Sequence, residues 1–369
     1  MSAARIPFDG GSLVAADDQR LLILNRAASE IWEALDAGWS PRELARTLSS
    51  SQGLDIEQLD REIGAIASVR DGHRTEAPLV AGAEDGLVAG DPTWSTRWRC
   101  RIRGRTIGFY VEEARRARAL RPLLAHLECG DGPESLRIEV RKLGGGRSLV
   151  SVDGRPRAEI QGEVGLRDTV HAAIIAHLWP ERALLTLIHG GAVALGGTGI
   201  CLPAFAGSGK TTLIAWLGGR GFRYLADDMC PVDRSGHIIP WPVPLNVKEG
   251  SWMALSPLHP DLAKGRRLTT SKGRSTLVVP AGEVWQAEPI SSSLLVFPRF
   301  EAGSGTGIEP LSPFMALERL VEAGMWLGHP LTDEKVRAFL AWLEAVPAYA
   351  LTYGRLEEAE DAIRGLLDD

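Results

Sequence analysis

Apolar positions fall along this chain in three textures. In the first, "GSLVAADDQRLLILN" (residues 11–25) sets two short apolar runs around the turn-forming "ADD", the pattern of a β-hairpin. Helical spacing follows. Ile31, Trp32 and Leu35 lie on one side of "NRAASEIWEALDAG", with Asn25 as its cap and Gly38 as its stop. "SPRELARTLSS" offers Ser40 as a cap and Pro41 at the first helical position. "DIEQLDREIGAIASV" places Ile56, Leu59, Ile63 and Ile66 on one face of a third helix. A hairpin and three helices are therefore expected within residues 1–72.

Residues 73–93 are rich in Gly, Ala, Asp and Glu and carry no periodicity, which predicts a linker. From 94 to 168 the runs "RWRCRIRG", "TIGFYV", "LRIEVRKL" and "RSLVSVDG" predict strands around one helix, "EEARRARALRPLLAHLE", hence a small α+β domain. Residues 169–369 alternate helical and strand patterns, as an α/β domain does. Within them Leu184–Leu202 is apolar but interrupted by His189 and several glycines, so it predicts two buried strands and no membrane span.

Composition changes this picture little. The chain has 369 residues, 44% hydrophobic and 24% charged, as soluble globular proteins do. A net charge of −6 supplies no global basic field for nucleic acid or an anionic membrane. Cys100, Cys129, Cys201 and Cys230 form no CxxC pair and are expected as free thiols of a reducing compartment. The start, "MSAARIPFDGG", lacks a signal-peptide pattern, so the expected location is cytoplasmic.

The candidate chemistry lies in "CLPAFAGSGKTTLIAWLGGRGFRYLADDM" (residues 201–229). Ala206, Gly207, Ser208, Gly209, Lys210, Thr211 and Thr212 form a phosphate-binding loop between a predicted strand and a predicted helix. Its glycines turn backbone N–H groups onto phosphate oxygens, Lys210 reaches the β- and γ-phosphates, and Thr211 offers its hydroxyl to Mg²⁺. The helix N-terminus adds its dipole. This predicts ATP or GTP binding. One position departs from the pattern: Ala204 stands where the consensus has glycine, and a positive φ there would cost about 1 kcal/mol or more. After the helix, "FRYL" predicts a strand that runs into Asp227 and Asp228. Adjacent parallel strands present their carboxyl ends to one crevice, which would set both acids beside the loop. Transfer of a phosphoryl group to a hydroxyl uses one carboxylate to accept the proton and another to help hold Mg²⁺.

"LIHGGAVAL", "AGSGKTTL", "RGFRYLADD", "PVPLNVKEGSW", "ISSSLLVFPRFEAG" and "PLSPFMALERL", in that order, resemble the HPr kinase-like serine kinases, in particular the shortened relatives found in peptide-modification gene clusters. The resemblance covers roughly residues 95–369. It implies a P-loop kinase core, Asp227 as general base, Asp228 as a magnesium or water ligand, and His189 close to the transferred phosphate. Lys248 and Arg299, in the later blocks, would contact nucleotide or substrate phosphate. The downstream signature of HPr kinase itself, of the type "LEIRGLGI", is missing, which argues against the sugar-phosphotransferase carrier as substrate. Residues 8–72, with "LLILNRAASEIWEAL", resemble the PqqD-like winged-helix domain, or RiPP recognition element, which accepts a leader peptide as an added strand. A winged-helix packing or dimerisation module is the alternative there.

Together these resemblances imply an ATP- and Mg²⁺-dependent kinase acting on a serine of a ribosomal precursor peptide, with neither nucleic acid nor membrane as partner. Three rivals stand beside it: a small-molecule kinase, a nucleotide-switched peptide escort that transfers no phosphate, and a nucleic-acid-binding winged helix. The acidic run "LDIEQLDRE" disfavours the last.

Overall fold

A computed structural model describes residues 5–15, 21–52, 55–72, 92–180, 182–205, 207–263, 265–270, 273–278, 287–327 and 331–368. The architecture is mixed α/β with four sheets among these residues. The chain forms two compact units, one of Met1–Asp85, Ser312–Glu318 and Leu327–Glu344, the other of Gly86–Leu311, Arg319–Trp326 and Ala345–Asp369. Most of the expected linker, residues 73–91, lies outside the described residues.

The first unit opens with an antiparallel sheet of β1 (Arg5–Phe8), β2 (Gly11–Ala15) and β3 (Leu21–Leu24), in that order. The hairpin expected over 11–25 is β2–β3; β1 comes in addition. Helix α1 (Arg26–Asp36) starts where Asn25 Oδ1 accepts the Ala28 N–H at 2.9 Å, satisfying an orphan donor of the first turn. In α2 (Pro41–Gln52) a capping box forms: Ser40 Oγ accepts from Glu43 N at 3.3 Å and Glu43 Oε2 accepts from Ser40 N at 3.0 Å. Leu59 and Ile63 of α3 (Ile56–Gly72) pack with Leu35, Leu44 and Ala45, and Ile66 is partly buried against them. Ile56, expected on that face, is exposed, because it opens the helix one turn before the packed stretch. Segment Ser312–Glu318 belongs to this unit, where Phe314 N donates to Asp9 Oδ2 at 2.8 Å.

In the second unit β4 (Thr96–Ile102), β5 (Arg105–Val111), β6 (Leu136–Lys142), β7 (Arg147–Val152) and β8 (Arg155–Gln161) form a sheet in chain order. Helix α4 (Ala114–Leu124) makes the crossover between the parallel pair β5–β6, and α5 (Glu163–Leu178) follows β8. Alternate residues such as Trp98, Cys100, Ile107, Phe109 and Ile138 are buried, the period expected of strands with one covered face.

A ten-stranded mixed sheet continues the unit. It begins with β9 (Leu184–Ile188), β10 (Gly190–Leu195), β11 (Thr198–Pro203), β12 (Arg223–Ala226), β13 (Cys230–Asp233) and β14 (His237–Ile238). Helix α6 (Lys210–Gly218) joins β11 to β12. A separate three-stranded sheet of β15 (Leu245–Lys248), β16 (Arg266–Thr270) and β17 (Gly273–Val278) intervenes, with α7 (Trp252–Leu255). The large sheet resumes with β18 (Ile290–Phe300), β19 (Gly307–Leu311), β20 (Met325–Trp326) and β21 (Ala348–Tyr353), followed by α10 (Leu356–Asp368). Between β19 and β21 the chain also forms α8 (Pro313–Ala323), whose first residues belong to the first unit, and α9 (Asp333–Ala345), which belongs to it almost entirely.

Two expectations are corrected here. Leu184–Leu202 holds parts of three strands, not two, because the chain changes sheet neighbours at His189: β9 pairs with β13 and β20, whereas β10 pairs with β11 and β12. And β11 and β12 are not adjacent. The antiparallel β10 lies between them, so these two point the same way with a reversed strand between. Ile200, Leu202, Leu213, Leu217 and Val296 form the core under this region. Cys201 and Cys230 place their thiols 3.3 Å apart, and all four cysteines are free. No helix among the described residues is long and apolar enough to cross a membrane.

Candidate functional site

The phosphate-loop sequence occupies the turn from β11 into α6. Ala206 lies outside the described residues. Gly207 has φ +98° and Gly209 φ +88°, left-handed values that favour glycine. At Gly209 space adds a second reason, since a Cβ would lie 2.6 Å from Tyr353 Oη and 2.9 Å from Phe300 Cβ. The loop is held by the ends of β18, which lies beside β11, and of β21, which lies beside β18. Phe300 N donates to Ser208 O at 2.9 Å, and Tyr353 Oη donates to Gly209 O at 3.4 Å. Ala204 is buried and is not among the described non-glycine residues with positive φ, so the strain anticipated there is absent.

The two acids follow β12 directly. Because β10 runs antiparallel between β11 and β12, its first residues lie at the same edge of the sheet as the carboxyl ends of its neighbours. His189, immediately before β10, is thereby brought to the loop and the acids. Its N–H donates to Gly324 O at 2.7 Å and its carbonyl accepts from Ala204 N at 3.4 Å. The glycines after it permit this closeness: a Cβ on Gly191 would stand 2.9 Å from Ala226 O.

Asp227 is 3% exposed and is the hub of the site. Thr211 Oγ1 donates to its Oδ2 at 3.0 Å, and Lys210 Nζ lies 3.5 Å from its Oδ1, with Lys210 buried as well. Burial raises the Asp227 pKa above the ordinary carboxylate value, while Lys210 opposes the rise. Asp228 differs in every respect. It is half exposed, has φ +67°, and turns one oxygen towards His189 Nδ1 at 3.8 Å and the other towards Arg167 Nη1 at 3.6 Å. Burial, helped by Lys210, lowers the His189 pKa against the pull of both acids, which favours neutral imidazole near pH 7.

No family model and no curated protein matches the chain. What the site can do is therefore read from its own geometry.

His189, Lys210, Thr211, Asp227 and Asp228 come together as a cluster. Ser208 joins them, its Oγ accepting from Lys210 N at 3.4 Å, whereas Thr212, Lys248 and Arg299 are turned or placed elsewhere. Thr212 Oγ1 is bonded to Ser251 Oγ at 2.6 Å. Lys248 is exposed at the end of β15. Arg299 is exposed and paired with Glu301 at 2.7 Å, while the next residue of β18, Phe300, turns its N–H to the loop.

Three residues of α5 that carried no motif complete the surroundings. Arg167 reaches Asp228 directly. Asp168 is half-buried and its pKa is raised to about 6 by burial and by Asp228. His171 is buried, lies 5.1 Å from the Trp241 ring, and has its pKa lowered to about 3 by burial and then by Arg167. The one trace in the sequence is "LRDTVH", polar residues within an otherwise apolar helix.

The donor set suits Mg²⁺ with a nucleotide. Mg²⁺ prefers oxygen ligands and is usually held by one or two carboxylates together with substrate phosphates. Thr211, Asp227 and Asp228 supply such oxygens at the start of α6. Among the described residues no group of three or more His, Cys, Asp or Glu side chains is assembled to hold an ion alone.

Proposed function

We propose that this protein is an ATP- and Mg²⁺-dependent kinase that phosphorylates a hydroxyl, of serine by family resemblance, on a ribosomally synthesised precursor peptide. The observation that carries the reading is the contact of buried Asp227 with both Thr211 and Lys210 at the mouth of a glycine loop with positive φ. A phosphate loop and an acid in contact are what phosphoryl transfer uses.

In this reading Lys210 and the loop amides hold the phosphates, and Thr211 and Asp228 would hold Mg²⁺, which would supply neutralisation of phosphate charge. The acceptor oxygen forms a bond to the γ-phosphorus as the bond to the bridging oxygen breaks, and ADP leaves with that electron pair. The hydroxyl proton passes to Asp227, whose raised pKa suits a proton acceptor near neutral pH. Neutral His189 and Asp228 border the transferred group. Rate enhancement comes from positioning and charge stabilisation.

Residues 1–72 are proposed to hold the leader. Strand β3 has β2 as its one neighbour among the described residues, so one side of its backbone stays open. Its sequence, "LLIL", carries none of the lysines or prolines that guard exposed edges, which suits an added strand. The exposed Asp55, Glu57, Asp60 and Glu62 of the α3 region disfavour a nucleic-acid partner. The escort reading loses its best support, since Ala204 has no left-handed strain.

The test is mass spectrometry of the precursor peptide after incubation with protein, ATP and Mg²⁺. One phosphate gained with the wild type and none with Asp227→Asn supports the kinase. A peptide that binds yet stays unmodified sinks it in favour of the escort.

A further inference from the structure

Arg167 stands outside the loop–strand motif, on α5, yet its guanidinium is aimed at the site from two fixed points. Its Nε donates to Ala119 O of α4 at 3.3 Å, and its Nη1 lies 3.6 Å from Asp228 Oδ2. The backbone carbonyl thus anchors the Nε side of the fork while Nη1 faces Asp228. A structural role explains this poorly. An ion pair to a half-exposed carboxylate is screened by solvent and adds little to stability. Asp228 meanwhile has φ +67°, a left-handed value that sets the direction of its carboxylate.

The proposed reaction supplies one. Phosphoryl transfer spreads negative charge over three equatorial oxygens, and the chemistry rewards a cation that meets them late. Lys210 is already engaged with buried Asp227. Arg167 is permanently charged, planar and forked, and its present partner is a carboxylate, the nearest protein analogue of a phosphoryl oxygen pair.

We infer that Arg167 is a catalytic arginine supplied in cis by the α4–α5 layer, exchanging Asp228 for the oxygens of the phosphoryl group in flight. This rests on the kinase reading and gives residues 94–168 a part in the chemistry. Arg167 makes and breaks no covalent bond and moves no proton; it stabilises charge during the transfer to the acceptor oxygen.

The test is equilibrium binding, which needs no acceptor peptide. Affinities for Mg·ADP and for Mg·ADP with aluminium fluoride, a mimic of the transferring phosphoryl group, are measured for wild type, Arg167→Ala and Arg167→Lys, with circular dichroism to monitor folding. The wild type is expected to bind the fluoride complex about 100-fold or more tighter than Mg·ADP. Arg167→Ala should reduce that ratio to below about tenfold and leave Mg·ADP affinity within about twofold, the loss of one preorganised donor. Arg167→Lys, charged but unforked, should fall between.

A ratio preserved in Arg167→Ala, whether both affinities hold or both fall equally, or a wild-type ratio near one overturns the inference, while Mg·ADP binding by the wild type leaves the kinase reading standing. A wild type that binds no Mg·ADP overturns the kinase reading, and the inference with it.

Discussion

Asp168 and His171 share one face of α5 one turn apart and are perturbed in opposite senses by the same burial. Asp168, raised to about 6, binds its proton more tightly in the folded chain than in the unfolded one. Its contribution to stability is therefore complete below about pH 4 and lost as pH rises through about 6. His171, lowered to about 3, acts the other way and costs stability as pH falls below its unfolded value near 6.5. The difference between wild type and Asp168→Asn isolates the first group. By urea unfolding, the variant should be more stable by about 1–3 kcal/mol at pH 7.5, with the gap closing towards pH 4. A gap of the same size at both pH values would mean that Asp168 is not held against ionisation. These residues also mark the limit of what the sequence told. Lys210, Thr211 and Asp227 were legible because a phosphate loop has a spacing of its own, and His189 through the glycines that follow it. Arg167, Asp168 and His171 lie about forty residues before Lys210 on a helix with no motif, and only the packing of α5 brings them in. Lys248 and Arg299 were expected at the site from their neighbours in the later sequence blocks, but strand alternation turned Phe300, not Arg299, to the loop.

Elements were more legible than their pairing. Three caps and stops in the first 72 residues were readable because each meets a local need: Asn25 and Ser40 bond orphan N–H groups, and Gly38 takes φ +99°. Strand β1 was missed although its turn is written plainly. Asp9 and Gly10 have φ +43° and +80°, the two positive values of a two-residue hairpin loop, and Asp-Gly is a preferred pair for it. Strand β8 was missed because "RPRAEIQ" is mostly exposed and has no apolar run to betray it. The insertion of β10 between β11 and β12 has no local signature at all, since strand order is settled by contacts far apart in the chain. Within the first sheet, pairing now yields a prediction. In an antiparallel pair alternate residues spend their N–H groups on the partner strand, and the others face away. About half of the β3 amides thus lack a partner strand, and a leader added there would bond them. Hydrogen exchange within Leu21–Leu24 should slow when the leader peptide is added to the full chain. Exchange unchanged there with peptide bound would refute strand addition at β3, and protection that follows protein concentration instead of peptide would identify a dimerisation module.

At the scale of the whole molecule the question is what the first unit contributes to the chemistry of the second. Deleting residues 1–72 is a poor way to ask it. Segments Ser312–Glu318 and Leu327–Glu344 belong to the same compact unit, and Phe314 N would lose its Asp9 acceptor, so a truncated chain would lose packing along with any peptide site. Changing the substrate avoids that damage. A leader held on one unit makes capture of the core peptide intramolecular, at an effective concentration of about a millimolar for a short flexible connection. Under the proposed function, tethering of this kind would act on encounter and leave the transfer step to Lys210, Thr211 and Asp227. The intact protein should therefore phosphorylate full-length precursor and leaderless core with kcat within about threefold of each other, while KM for the leaderless peptide rises by about 10²–10⁴-fold. Free leader added in trans should raise KM for the full precursor and leave the leaderless reaction unchanged, because it competes for the first unit alone. Equal KM for the two peptides would remove the leader from the mechanism and return residues 1–72 to packing. A fall in kcat with unchanged KM would assign the leader to assembly of the active site.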